Sequence, residues 1–308
     1  MDKKEKTGNP LVAIICLVYN QDKFLHNCLE GFLMQQTNFP FIVIVHDDAS
    51  TDGSTNIIRK YEANFPHIFK PIYQTENQYS KPGVSVMRIA NAAAQKSGAK
   101  YIAMCEGDDY WIDSGKLQRQ VDFLERHPEY SMTTENATRL YIQTEKKEPF
   151  SKRRTGDIQI EELILARQFA TASVLYRLES LQIPENTKTY DTLLWCLLAQ
   201  NGKIHYQDIV SSVYQVGEGV TQKDKIKWAY QIVQLNYTLY SHIKLDRKKL
   251  YSHDKELLAM VLVGVRKALE EKKYSDACKL FIHALRIGIV PWLLLIKQIM
   301  HYKVFKLE

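Results

Sequence analysis

Two apolar runs in the first 110 residues each break off into a cluster of acids. Phe41 to Val45 leads into His46-Asp47-Asp48-Ala49-Ser50-Thr51-Asp52-Gly53-Ser54, and Tyr101 to Cys105 leads into Glu106-Gly107-Asp108-Asp109. A short run without polar interruption reads as a strand covered on both faces, the kind found inside a parallel sheet. Acids at the end of such a strand are costly unless something compensates them. They need a partner.

The surrounding pattern says how these strands are connected. Leu11 to Val18 is another apolar run, stopping at Tyr19-Asn20, and Phe24, Leu25, Cys28, Leu29, Phe32 and Leu33 then recur at helical spacing before the turn at Thr37 to Pro40. The second run is followed by Ile57, Ile58 and Tyr61 at helical spacing. A weaker strand is expected at Phe69 to Tyr73, a helix at Val84 to Gln95, and a helix marked by Leu117, Val121 and Leu124. Alternating strands and helices predict an α/β fold, a doubly wound and mostly parallel sheet with helices on both faces. Ligands in such folds bind at the carboxyl ends of the strands, so both acidic clusters should face one crevice.

Glu106, Asp108 and Asp109 place three acids within four residues. Hard oxygen ligands of this kind suit Mg²⁺ or Mn²⁺ when phosphate oxygens complete the shell. Gly107 would let the backbone turn, and Tyr110 and Trp111 either wall the crevice or pack in the core. An isolated acid pair is more often a cap or a turn, and Asp52 reads as a first-turn acid of the following helix. None of the nine histidines has a zinc spacing.

At 45% hydrophobic and 25% charged, the 308 residues have the balance of a packed globular protein. Five cysteines, odd in number and without a CxxC pair, read as core thiols of a reducing cytoplasm. No secretory signal is recognisable at the start. Residues 145–156, charged and containing Pro149, are expected to form a surface loop. Residues 222–308 hold 17 Lys and Arg against 8 Asp and Glu, whereas residues 1–221 hold 24 against 27. That asymmetry points the tail toward an anionic surface. Its apolar run, Ile287 to Ile296, is too short to cross a bilayer, which takes about 20 residues.

Tyr19-Asn20, Asp47 through Ser54 and Glu106 through Trp111, in this order and spacing, resemble the family 2 glycosyltransferases, in particular bacterial members that build surface polysaccharides. The resemblance runs from about Pro10 to Gly219 and is strongest over the first 130 residues. It implies a GT-A domain at residues 9–220; the region at 221–308 lies beyond the resemblance and is expected, from its own pattern and charge, to be helical, basic and membrane-associating. It also implies that Tyr19, Asn20, Asp47, Asp48 and Asp108 hold the nucleotide-sugar, and that Asp109 with Asp108, and Glu106 as a further candidate, hold the metal. Asp191 fits the place of the family's general base: an apolar stretch, Gly202-Lys203-Ile204 and Val213-Tyr214 follow it in the family's order. The implied partners are a nucleotide-sugar donor and a glycan or lipid-linked acceptor; the charge of the tail adds an anionic membrane surface on the cytoplasmic side, and nucleic acid is not expected.

Two departures stand out. Gln215 and Gly217 occupy positions where relatives carry Arg and His, leaving Lys223, Lys225 or Lys227 as substitute cations. Thr171, Ala172 and Ser173 take the place of an acceptor-side loop. A phosphatase of the haloacid dehalogenase type is excluded because Ala49 stands where its second Asp is needed. A nucleotidyltransferase is disfavoured because Tyr19-Asn20-Gln21-Asp22 is no glycine-rich loop. The competing reading is a nucleotide-sugar-binding scaffold without turnover.

Overall fold

The computed structural model describes residues 8–81, 84–185, 191–217, 225–244 and 251–287. The chain divides into two compact units, Met1–Gly217 and Glu218–Glu308.

The first unit is built on one sheet. Strand β1 (Val12–Val18) lies between β2 (Phe41–Asp47) and β4 (Tyr101–Met104), parallel to both, and β3 (Ile72–Tyr73) extends the parallel part beyond β2. Next to β4 the direction reverses. Strand β9 (Val174–Arg177) pairs antiparallel with β4 and with β6 (Tyr130–Tyr141), and β10 (Lys203–Val216) runs parallel to β6. The short β5 (Tyr110–Trp111) closes the far edge against β10, giving the order β3-β2-β1-β4-β9-β6-β10-β5. Residues expected to form a loop include β7 (Lys147–Pro149), which pairs antiparallel with β6; β8 (Gly156–Ile158) pairs with β10. The β7 pairing joins Thr138 to Pro149, and a three-residue strand reading Lys-Glu-Pro carries no apolar alternation to announce it.

Helices cover both faces. Val12, Ile14, Cys16 and Val18 point to one side, where they meet α1 (Asp22–Leu33), α2 (Ser54–Asn64) and α4 (Lys116–Arg126) through Leu25, Cys28, Leu29, Phe32, Ile58, Leu117, Val121 and Leu124. The buried positions of α1 fall at intervals of three and four, one stripe of a helix. On the other side lies α3 (Val86–Ser97), whose Asn91 accepts the buried Tyr176 hydroxyl. Burying side chains of this size stabilises by roughly 1.5–3 kcal/mol each. Cys16, Cys28, Cys105 and Cys196 are buried and Cys278 is exposed. Gly31 is required by close approach: a Cβ there would sit 2.9 Å from the Trp111 backbone nitrogen.

Within the second unit, α7 (Lys225–His242), α8 (Tyr251–Glu270) and α9 (Tyr274–Ile287) pack around Ile226, Ala229, Val233, Val261, Ala268, Ala277 and Leu280. The basic apolar run Ile287 to Ile296 lies outside the described residues beyond its first position. Among the described residues, no helix is long and apolar enough to cross a membrane.

Candidate active site

The carboxyl ends of β1, β2 and β4 bring the sequence-selected residues together. Asn20, in the turn after β1, adopts a left-handed backbone (φ 54°), and its Oδ1 accepts the Thr51 amide at 2.8 Å. Its own amide donates to Ser50 Oγ. Ala49 is also left-handed (φ 63°), unusual for a residue with a Cβ and without a side-chain hydrogen bond to favour it. Tyr19, the chain neighbour of Asn20, is 48% exposed.

The acids of the second loop are largely spent on the loop itself. Asp47 accepts the Ser50 amide and the Thr55 hydroxyl, and Asp52 accepts the amides of Asp22 and Ser54. Asp48 takes the Gln78 amide on one oxygen at 2.7 Å and the Tyr79 amide on the other at 2.9 Å. Asp47 and Asp48 are thus buried because backbone amides satisfy them. Through the second contact, Asp48 fixes the segment that carries Tyr79.

The third loop is different in kind. Asp109 is 1% exposed; its Oδ1 accepts the Gln215 amide, but its Oδ2 has no hydrogen-bond partner among the described residues. Burial, and next the neighbouring Asp108, push its carboxyl well above the ordinary range, against the Gln215 bond and Arg167. Glu106 is raised by burial and then by Asp191, Asp108 and Asp109, with Arg167 opposing. Asp108 is raised by burial against a hydrogen bond from Gln21. Glu106, Asp108, Asp109 and Asp191 thus act on one another through their charges. Trp111 belongs to the core, edge-on to Phe32, with its indole nitrogen donating to Ala172.

Asp191 opens α6 (Asp191–Gln200), the helix that follows α5 (Ile160–Leu165) in the chain, and a helix N-terminus favours negative charge. Its Oδ2 accepts the Thr171 hydroxyl at 2.8 Å and lies 3.7 Å from the Arg167 guanidinium. Thr171 sits in the short 3-10 turn Thr171–Ser173. Arg167 also donates to the Tyr214 hydroxyl and lies over its ring, 5.3 Å from the centroid. Burial works against the Arg167 charge, but Tyr214, Asp191 and Glu106 outweigh it and hold it firmly protonated. The Tyr79 hydroxyl is pushed up by partial burial and then by the charges of Asp191 and Glu106.

Arg167 and Tyr79 are the residues that the sequence did not single out. Each is a single side chain in a loop without a recognisable motif. Gln215 donates its side-chain amide to the Asp108 carbonyl and its backbone amide to Asp109, so it buttresses the acidic loop. Of the substitute cations considered, Lys223 lies outside the described residues, and Lys225 and Lys227 belong to α7 of the second unit.

A divalent cation fits this crevice in one respect and not in another. The Oδ2 of Asp109, which has no hydrogen-bond partner among the described residues and lies among carboxylates that raise one another, is an oxygen that a cation could satisfy. Among the described residues, however, no group of three or more His, Cys, Asp or Glu side chains could hold a metal alone. The donor set suits a cation whose shell is completed by phosphate and water.

Comparison with known proteins places these features in a family. The family model described as "Glycosyl transferase family 2" matches residues 13–179. An uncharacterised protein of Mycobacterium tuberculosis (strain H37Rv) is 34% identical over 209 residues, 66% of this chain and 58% of its own length. The chain thus spans a little over half of that relative. A β-1,3-glucosyltransferase of Escherichia coli, whose name gives UDP-Glc as donor and α-D-GlcNAc-diphosphoundecaprenol as acceptor, is 33% identical over 115 residues, 37% of this chain and 41% of its own. In structure, the chain resembles a Pyrobaculum calidifontis mannosyltransferase solved with GDP-Man and Mn²⁺ (TM-score 0.55, 16% identity, covering 97% of this chain and 81% of that one). With a matched family model over more than half of its residues, on a GT-A fold, this chain belongs to glycosyl transferase family 2.

Proposed function

We propose that the protein transfers a sugar from a nucleotide-sugar to an acceptor hydroxyl with inversion, in the synthesis of a cell-surface polysaccharide. The observation that supports this reading is the electrostatic coupling of Asp191 with Glu106 and Asp109, which brings its charge to bear on the acidic loop. One carboxylate stands at a helix N-terminus on the acceptor side, opposite the acids of the donor side. A nucleotide-binding scaffold has no use for the former.

Tyr19 and Asn20 present the exposed turn against which the nucleotide would rest. Asp47 and Asp48 shape the neighbouring loops, and Asp48 does so through the amides of Gln78 and Tyr79. Asp109, with Asp108 beside it and Glu106 as a further ligand, would hold Mg²⁺ or Mn²⁺. When bound, the cation supplies neutralisation of charge on the departing diphosphate. The acceptor oxygen attacks the anomeric carbon as its proton passes to Asp191. The bond from that carbon to the diphosphate oxygen breaks, and its electron pair leaves with the phosphate.

The test is Asp191→Asn. Donor affinity should stay near wild type, and turnover should fall on the order of 10²-fold or more, the range expected when a positioned base is removed. A variant that turns over like wild type, or a product retaining the donor's anomeric configuration, contradicts this mechanism. The acceptor is proposed to be a glycan or a lipid-linked sugar. The basic character of residues 222–308 supports a further proposal, that they bring the enzyme to an anionic cytoplasmic membrane face.

A further inference from the structure

Asp191 is held by one of its two oxygens. Thr171 donates to Oδ2 at 2.8 Å, and the Arg167 guanidinium approaches the same atom at 3.7 Å. Oδ1 has no hydrogen bond among the described residues. Both contacts are themselves braced. Thr171 is 2% exposed in a turn whose next residue, Ala172, is pinned by the Trp111 indole at 2.6 Å. Arg167 is fixed by Tyr214, through the hydroxyl at 3.1 Å and through the ring face. Tyr214 immediately precedes Gln215, whose amide holds Asp109.

We infer that Thr171 and Arg167 are positioning residues that clamp Oδ2 of Asp191 and leave Oδ1 alone to face the acceptor hydroxyl. A carboxylate turning freely would offer either oxygen to the acceptor. The clamp removes that freedom. A general base must lie within hydrogen-bond reach of the proton it takes, so orientation sets the rate. The bracing by Trp111 and Tyr214 also makes the clamp rigid relative to the acidic loop, since each belongs to the segment next to Asp109 or to its support.

This inference rests on Asp191 being the base, and the experiment separates the two. Nucleoside diphosphate release from UDP-glucose, UDP-GlcNAc and GDP-mannose with Mn²⁺ is measured for Thr171→Val, Thr171→Ser and Arg167→Gln, each alone and combined with Asp191→Asn. Thr171→Val keeps the shape of the side chain and loses the hydroxyl; it should lower kcat about tenfold with KM for the donor unchanged. Thr171→Ser should restore the rate, and Arg167→Gln should lower kcat in the same way. In the Asp191→Asn background neither Thr171→Val nor Arg167→Gln should lower kcat further, because residues acting as one unit are not additive. A purely structural role would reduce the rate equally in both backgrounds. The inference is overturned if Thr171→Val turns over at the wild-type rate, or if its loss persists undiminished beside Asp191→Asn. If Asp191→Asn alone has no effect, the base assignment falls instead. Melting temperatures of the single variants, expected to match wild type, exclude misfolding as the cause.

Discussion

Oδ1 of Asp109 accepts the backbone amide of Gln215 at 2.9 Å, joining residues 106 positions apart in the chain. The bond fixes the carboxylate through one oxygen and leaves the other buried, without a hydrogen-bond partner among the described residues. Gln215 thus has a structural use at a position where the resemblance leads one to expect a cation.

Binding of nucleoside diphosphate should therefore depend on the metal. Calorimetry with UDP and with GDP should show affinity in Mn²⁺ or Mg²⁺ that is lost in EDTA, and Asp109→Ala should bind weakly in either condition. Equal affinity with and without EDTA, or a normal Asp109→Ala, would remove the metal role.

Lys116 predicts a pH dependence elsewhere in the fold. Its ammonium is fully buried, donates to Gln120 Oε1 at 2.6 Å and lies 4.5 Å from the centre of the Trp111 ring. Burial lowers its pKa to about 8 from an ordinary 10.5, with Glu135 and Cys105 opposing. Between these values the unfolded chain binds more protons than the folded one, so this group's contribution to stability rises with pH. Buried thiols and phenols titrate in the opposite sense, and a difference measurement isolates the lysine. Relative to Lys116→Met, wild type should gain on the order of 3 kcal/mol between pH 7 and pH 11 in denaturant unfolding, at about 1.4 kcal/mol per unit. Parallel pH curves for the two proteins would show that Lys116 is not desolvated.

The basic tail predicts association with lipid. Each Lys or Arg near an anionic surface is worth roughly 1 kcal/mol. Sedimentation with phosphatidylserine-containing vesicles should be strong at low salt, weaken as salt rises, and diminish when residues 288–308 are removed. A full-length protein that ignores such vesicles, or a shortened one that binds them equally, would contradict the membrane proposal.

The parallel half of the sheet was legible in the sequence because β1, β2 and β4 are apolar without interruption and their helices keep a clear stripe. The reversal at β9 was not. Val174 to Tyr176 is only three apolar residues before Arg177, and strand direction is set by what it pairs with, here Tyr101↔Arg177 and Met132↔Tyr176. The acidic loops were legible as candidates, but not the division of labour inside them. That Asp48 spends both oxygens on Gln78 and Tyr79, while Asp109 keeps one unspent, depends on loop backbone that has no periodicity to read. Arg167 was invisible for a related reason. It lies 24 positions before Asp191, and only the fold brings its guanidinium beside that carboxylate.

The most direct measurement is turnover by the unmodified protein. Incubated with Mn²⁺ and a panel of UDP-, GDP-, dTDP- and CMP-sugars, it should release the nucleotide product slowly from at least one donor, with EDTA abolishing the release. A folded protein that binds metal-nucleotide yet releases none from any donor, even with polysaccharide or lipid-linked acceptors added, would contradict the transferase reading in favour of a binding scaffold.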